Sequence, residues 1–153
     1  MIAAALSRGP AQGLLGAALA ARETLNRFPP AALKLLLRAG VAGVFWKSGM
    51  TKLANWELTV QLFADEYKVP VLPPELAAYL GTAAELVCPV LILLGLGARL
   101  GAAALLGMTF VIQVFVYPSN WSEHLLWASI LLTILAHGPG RLSLDHLIAR
   151  RLR

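Results

Sequence analysis

Long apolar runs alternate with short polar turns along most of the chain. The runs cover residues 31–53, 75–96, 100–117 and 125–137, and proline, glycine or asparagine stands where each helix would end. A run of about 20 apolar residues can cross a bilayer as a helix. The fourth run approaches this length when residues 121–124 are included. The pattern therefore predicts an all-α integral membrane four-helix bundle.

The segment before these runs, residues 1–30, has a different pattern. Pro29 and Pro30 separate it from the first run, because a helix rarely continues unbroken through such a pair. Apolar side chains recur at helical spacing within it, and Arg22 and Arg27 lie beside them. This predicts an N-terminal amphipathic surface helix. A secretory signal peptide with residues 13–21 as its apolar core is the alternative.

The charges divide the chain into three regions and indicate an orientation. We expect an N-terminal amphipathic segment, a four-span membrane domain over residues 31–140 and a basic tail over residues 141–153. The N-terminal segment, Arg99 and the tail are basic, whereas residues 54–74, which we expect to form an external loop, have mostly acidic residues among their charged ones. Cytoplasmic loops carry the excess of Lys and Arg in membrane proteins. The charges therefore predict a multi-pass membrane protein with both termini in the cytoplasm, and we expect the membrane to be a bacterial inner membrane.

Composition removes several classes of function. Hydrophobic residues make up 58% of the chain and charged residues only 14%, whereas a soluble domain has about 25% charged residues. We interpret the net charge of +5 as an orientation signal and expect no nucleic-acid partner. Cys88 is the single cysteine, which excludes an intrachain disulfide. His124, His137 and His146 are expected on opposite sides of the membrane, so no metal site is expected.

Ionisable side chains interrupt the apolar runs. Arg38, Lys47 and Lys52 lie in or at the edge of the first run, and Glu85 lies deep in the second. An unpaired carboxylate at such depth is costly, so we expect Glu85 to pair with a cation of the first run. Depth favours Arg38 or Lys47. Glu85 could handle protons or bind a ligand, or its ion pair could fix the register of the helices. Gln113 is expected to join two helices by a hydrogen bond.

A candidate binding site combines residues from three runs. Trp46, Lys52, Glu85 and His124 are expected at comparable depth on the outer side. A pocket for a small molecule is mostly apolar with a few polar contacts, and these residues supply aromatic, basic and acidic groups. Histidine can also exchange protons near neutral pH. We therefore predict a ligand pocket here, although the residues identify no catalytic group and do not decide whether the protein is an enzyme.

Two motifs stand in the first two runs. The first run contains Arg-Ala-Gly-Val-Ala-Gly-Val-Phe, then Ser-Gly and Lys-Leu, and the second contains a glutamate, a proline and Leu-Leu-Gly-Leu-Gly-Ala-Arg. With these motifs in this order and spacing, the chain resembles the DoxX family of small four-helix membrane proteins over roughly residues 35–137. The positions that match the pattern residue by residue are Arg38, Lys52, Glu85 and Arg99.

The resemblance implies two functions of different classes. Related proteins serve as membrane subunits in thiosulfate:quinone oxidoreduction or associate with oxidative-stress enzymes. Because the chain has no cofactor motif, we favour a non-catalytic partner or assembly subunit of a membrane complex. The alternative is a quinone-interacting membrane subunit of such an oxidoreductase, and its candidate quinone pocket would be formed by Trp46, Lys52, Glu85 and His124. The expected partners are the lipid bilayer, other membrane or redox-complex subunits, or a second copy of the chain, and a quinone is the one cofactor considered.

Overall fold

The computed structural model describes residues 10–152, with side chains from residue 13 onward. Its α-helices are, in order, α1 Pro10–Asn26, α2 Pro30–Ala54, α3 Trp56–Leu62, α4 Pro74–Leu94, α5 Ala98–Val111, α6 Trp121–His137 and α7 Leu144–Arg151. The shorter segments are two π-helical stretches, Phe63–Tyr67 and Ile112–Val116, and a 3₁₀ turn, Pro118–Asn120. The described part of the chain contains no β-strand. The predicted all-α class is confirmed.

The chain divides into two units, Met1–Pro30 and Ala31–Arg153. The first unit contains α1, whose described side chains are all exposed. The helix expected in this segment is present, and its place in the membrane surface remains a prediction. Residues 1–9 of the predicted N-terminal segment and Arg153 of the predicted tail lie outside the described residues.

The second unit contains the helices that correspond to the four apolar runs: α2, α4, α5 with its π-helical extension, and α6. α4 and the continuous helix Ala98–Val116 are each long and apolar enough to cross a membrane, and Gly13–Asn26 with Pro30–Ala54 would be so if taken as one span. α2 alone does not meet this description because it carries too many basic side chains, and α6 does not meet it because it is only 17 residues long. These helices agree with an all-α membrane bundle.

The core of the second unit lies where α2, α4, α5 and α6 meet. Gly101 brings α4 and α5 close together, since a Cβ atom there would lie 3.2 Å from the carbonyl oxygen of Cys88. Large apolar side chains such as Leu100 and Phe110 remain on the outside. A membrane bundle can expose such side chains because lipid tails are as apolar as they are. The buried apolar cluster consists of Val41, Phe45, Cys88, Ile92, Ala98, Ala102, Leu105, Leu131 and Ile134.

The acidic segment of residues 54–74 folds into α3 and a π-helical stretch that pack on the first half of α4. The rings of Trp56 and Tyr79 lie 4.5 Å apart between their centroids. Gly81 makes room for Phe63, because a Cβ atom at this glycine would lie 3.2 Å from the phenylalanine Cζ. The segment thus covers the beginning of α4, and α2 ends beside the middle of α4.

The C-terminal tail is docked through its acidic residue. The carboxylate of Asp145 accepts hydrogen bonds from the backbone N–H groups of Gly97 at 2.8 Å and Ala98 at 3.3 Å. These groups begin α5, so Asp145 caps that helix from the tail. The N–H of Asp145 donates in turn to the carbonyl oxygen of Gly95 at 2.9 Å. α7 is therefore held at the turn between α4 and α5.

Candidate functional site

A buried ion pair connects α2 and α4. Lys52 Nζ lies 2.8 Å and 2.7 Å from the two carboxylate oxygens of Glu85 and donates to Ser48 Oγ at 2.9 Å. The Ser48 hydroxyl donates to Glu85 Oε1 at 3.1 Å. The side chains of Lys52 and Glu85 are 15% and 5% exposed. Because an ammonium group carries three protons, the chain itself satisfies all the donors of Lys52.

The sequence of α2 explains how the pair forms. Phe45, Ser48 and Lys52 follow at intervals of three and four residues and therefore share one helix face. Gly49 allows α2 to approach α4, since a Cβ atom there would lie 2.9 Å from Leu86 Cδ2 and 3.1 Å from Glu85 Cβ. The missing side chain at the crossing brings the lysine within reach of the carboxylate.

The cation that pairs with Glu85 differs from the expected one. We predicted Arg38 or Lys47 from depth along the two runs, and the structure shows Lys52. The prediction was wrong because it treated the segment after α2 as an external loop. That segment is helical and covers the first half of α4, which places the end of α2 beside Glu85. Lys47 is exposed and forms no ion pair within residues 10–152.

Arg38 lies in a separate cluster at the other end of α2. Its guanidinium is buried, and it donates to the backbone oxygens of Leu93 at 2.5 Å, Leu142 at 2.7 Å and Pro139 at 2.9 Å. Arg99 donates to the carbonyl oxygen of Ala136 at 3.3 Å. Carbonyl groups at helix C-termini carry partial negative charge and attract cations. Arg38 and Arg99 therefore hold the ends of α4 and α6 and the tail together, away from the ion pair.

His124 and Gln113 connect α6 to the π-helical extension of α5. His124 Nδ1 lies 2.7 Å from Gln113 Oε1, and Gln113 Nε2 donates to the carbonyl oxygen of Pro118 at 2.8 Å. The His124 ring lies 5.2 Å from the ring of Trp127, which packs edge-on against Phe45 at 5.4 Å. His124 is 4% exposed. The aromatic contacts thus connect the histidine to the face of α2 that carries the ion pair.

A cavity of about 440 Å³ lies among α2, α4, α5, α6 and the segment after α3. Lys52, Glu85 and His124 line it, and most of the remaining lining side chains are apolar or aromatic. Pockets for small molecules are roughly 300–1,000 Å³, mostly apolar, with a few polar groups. The described residues contain no group of three or more His, Cys, Asp or Glu side chains that could hold a metal ion. The cavity suits an apolar molecule with one or two polar atoms.

Trp46 does not join the other predicted pocket residues. It is 44% exposed and is not part of the cavity wall. Successive helical residues are rotated by about 100°, so a position next to the buried Phe45 points away from the cavity. Trp127 supplies the tryptophan in the wall instead. Its position three residues after His124, on the same face of α6, is the signal that could have identified it.

A hydrogen bond connects Tyr117, which lines the cavity, to Glu66 in the π-helical stretch after α3. The Tyr117 hydroxyl donates to Glu66 Oε1, and the Tyr117 ring lies 5.9 Å from that of Tyr67. This hydrogen bond, together with desolvation, raises the pKa of Tyr117 well above its usual value. The contact attaches the π-helical stretch after α3 to the end of the π-helical extension of α5.

Comparison with known proteins identifies the family. The DoxX family model matches residues 33–118, more than half of the chain. A protein of Haemophilus influenzae described as an uncharacterized protein is 28% identical over 131 residues, which cover 76% of this chain and 83% of that protein. No solved structure matches the chain. The chain therefore belongs to the DoxX family and is a membrane protein that resides in a lipid bilayer.

Proposed function

We propose that this protein is a membrane subunit that binds the head group of a quinone in the cavity among its helices. One observation carries the proposal: a buried ion pair and a buried histidine line the same apolar cavity of about 440 Å³. Ionisable groups are rare within membrane helices and are associated with ligands or protons when they line a cavity. A quinone, which is soluble in the bilayer, has the required flat apolar ring and two polar atoms.

The residues around the cavity suit such a ring. Phe45 and Trp127 present aromatic surfaces, and aromatic rings pack favourably edge-to-face or offset. Glu85 and His124 are groups that can accept or donate a proton when a bound ring changes its protonation. A partner subunit of a redox complex would supply the electrons, because the described residues contain no cofactor motif of their own.

A non-catalytic assembly role is the second candidate, and a specific observation favours it. The three protons of Lys52 are all satisfied by Ser48 and Glu85, so the pair ties α2 to α4 without a ligand. Such a pair can fix the register of a helix bundle. In this role the protein would bind other subunits of a membrane complex or a second copy of itself, and the cavity would remain without a specific ligand.

We also propose that the protein lies in a bacterial inner membrane with both termini in the cytoplasm. The basic residues at one end of the second unit support this orientation, because α7, with Arg150 and Arg151, docks at the turn that precedes Arg99. In a Cys88→Ala background, a cysteine at Asp65 should react with an impermeant thiol reagent in intact cells, and one at Arg150 should not. The reverse labelling would contradict the orientation.

The quinone proposal is tested by filling the cavity. Val111 lines the cavity, whereas Val114 is 46% exposed and does not. The affinity of a short-chain quinone for the detergent-solubilised protein is measured by isothermal titration. We expect Val111→Trp to weaken binding by about tenfold or more, since the indole occupies ligand space, and Val114→Trp to leave it unchanged. Equal affinity in both variants, or no binding to the unaltered protein, would contradict the proposal.

A further inference from the structure

The hydrogen bonds around His124 determine which ring nitrogen carries a proton. The carbonyl oxygen of Pro118 can only accept, so the Gln113 atom 2.8 Å from it is the amide nitrogen. The other amide atom, Oε1, also only accepts, and it lies 2.7 Å from His124 Nδ1. His124 Nδ1 therefore carries a proton. In the neutral ring, Nε2 is then an acceptor with a free lone pair.

This second nitrogen of His124 is available to a ligand. Nε2 makes no hydrogen bond to any part of the chain between residues 10 and 152. In that part of the chain, the side-chain nitrogen and oxygen atoms that are both fully enclosed and without a partner are Arg38 Nε and Thr82 Oγ1. His124 Nε2 has no partner but is not one of these atoms, so it is not fully enclosed. His124 is one of the residues that line the cavity, so a ligand held there is placed to reach this nitrogen. A ligand that donates no hydrogen bond would leave the acceptor unpaired in an apolar surrounding, which is costly.

The ion pair also presents an acceptor to the cavity. All three ammonium protons of Lys52 point to Ser48 Oγ and the two Glu85 oxygens. The hydroxyl proton of Ser48 points to Glu85 Oε1. A carboxylate has about four lone-pair sites, so Glu85 retains accepting capacity after these hydrogen bonds. Neither His124 nor the ion pair with its serine therefore has an N–H or O–H left for a ligand.

We infer that the cavity selects a ring that carries a hydroxyl group, such as a hydroquinone or a phenol, over a ring with only carbonyl or ether oxygens. This inference rests on the proposed function and names the form of the ligand. Donors also line the cavity at Tyr67, Asn120 and Trp127, each more exposed than His124. A hydroxyl group both donates and accepts, so it can pair with His124 and with one of these donors. A carbonyl oxygen leaves Nε2 unpaired.

The test compares three ligands that share one ring: a short-chain hydroquinone, its quinone and its dimethyl ether. Binding to the detergent-solubilised full chain is measured by isothermal titration without oxygen. We expect the hydroquinone to bind about tenfold more tightly than the quinone or the ether, which corresponds to one hydrogen bond to an otherwise unpaired buried acceptor.

Gln113→Leu tests the role of the amide as a positioning residue. Without Oε1, His124 can move its proton to Nε2 and donate to a carbonyl oxygen. The ratio of hydroquinone to quinone affinity should then fall toward one, a change that loss of stability alone does not produce. Val114→Leu, in the same π-helical stretch and outside the cavity wall, is the matched control and should keep the ratio of the unaltered protein.

The outcomes separate this inference from the proposed function. Absence of binding by all three ligands would overturn both. Tight binding of the quinone with equal or weaker binding of the hydroquinone would overturn the inference and leave the proposed function standing. An unchanged ratio in a folded Gln113→Leu protein would contradict control of the histidine tautomer by the amide. If that variant does not fold, the ratio of hydroquinone to quinone affinity in the unaltered protein decides whether the inference stands.

Discussion

Removal of the Glu85 carboxylate should destabilise the bundle strongly. In Glu85→Ala the ammonium of Lys52, whose side chain is only 15% exposed, would keep Ser48 Oγ as its one side-chain partner. Removing one partner of a buried ion pair costs about 3–5 kcal/mol. Since Lys52 is not completely buried, we expect the lower end of this range. Glu85→Gln keeps the volume and one accepting oxygen, so its cost should be roughly half.

The assay is thermal unfolding in a mild detergent. For a chain of this size, 1 kcal/mol changes Tm by roughly 2–4 °C, so Glu85→Ala should lower Tm by roughly 6–12 °C. The double variant Lys52→Met, Glu85→Ala leaves no unpaired charge and should unfold at a higher temperature than Glu85→Ala alone, because the two sites are coupled. Equal and negligible losses in Glu85→Ala and Glu85→Gln would show that the ion pair does not stabilise the fold.

Three further predictions concern the contacts that hold the helices. Gly49→Val should cost about 1–3 kcal/mol by overpacking against α4, whereas Gly43→Val, which meets no atom within 4 Å, should leave Tm nearly unchanged. Asp145→Ala should remove about 1 kcal/mol of helix capping and increase hydrogen exchange in α7. Glu66→Ala should lower the pKa of Tyr117 toward the ordinary tyrosine value in a spectrophotometric titration. Because the pKa of Tyr117 is raised in the folded protein, the contact stabilises the fold below about pH 10, and this stabilisation is lost as pH rises through the raised pKa.

The long helices could be predicted because their signal is local. Apolar runs bounded by Pro73, Gly97 and Gly138 correspond to helices that begin or end at these residues. The motif around Arg38 and Lys52 likewise indicated the family that the comparison established. Each of these inferences used neighbouring residues and required no knowledge of how the helices cross.

The partners of the polar side chains could not be predicted from the same pattern. The pairing of Lys52 with Glu85 depends on how the acidic segment packs against α4, and the composition of that segment does not reveal this packing. Arg38 binds backbone carbonyl oxygens, and such acceptors have no sequence signal. Asp145 caps α5 from the tail, across a separation of 48 residues from Gly97. These contacts depend on tertiary geometry.

Identification of the small molecule that copurifies with the protein is the most direct test of the proposed function. The unaltered protein, Val111→Trp and Val114→Trp are each purified in mild detergent, and the bound small molecules are extracted into organic solvent and identified by mass spectrometry. We expect a quinone or hydroquinone in near-stoichiometric amount from the unaltered protein and from Val114→Trp, and little from Val111→Trp. The reason is that Val111 lines the cavity and Val114 does not. Equal amounts from all three proteins, or none from any, would contradict a quinone site in this cavity.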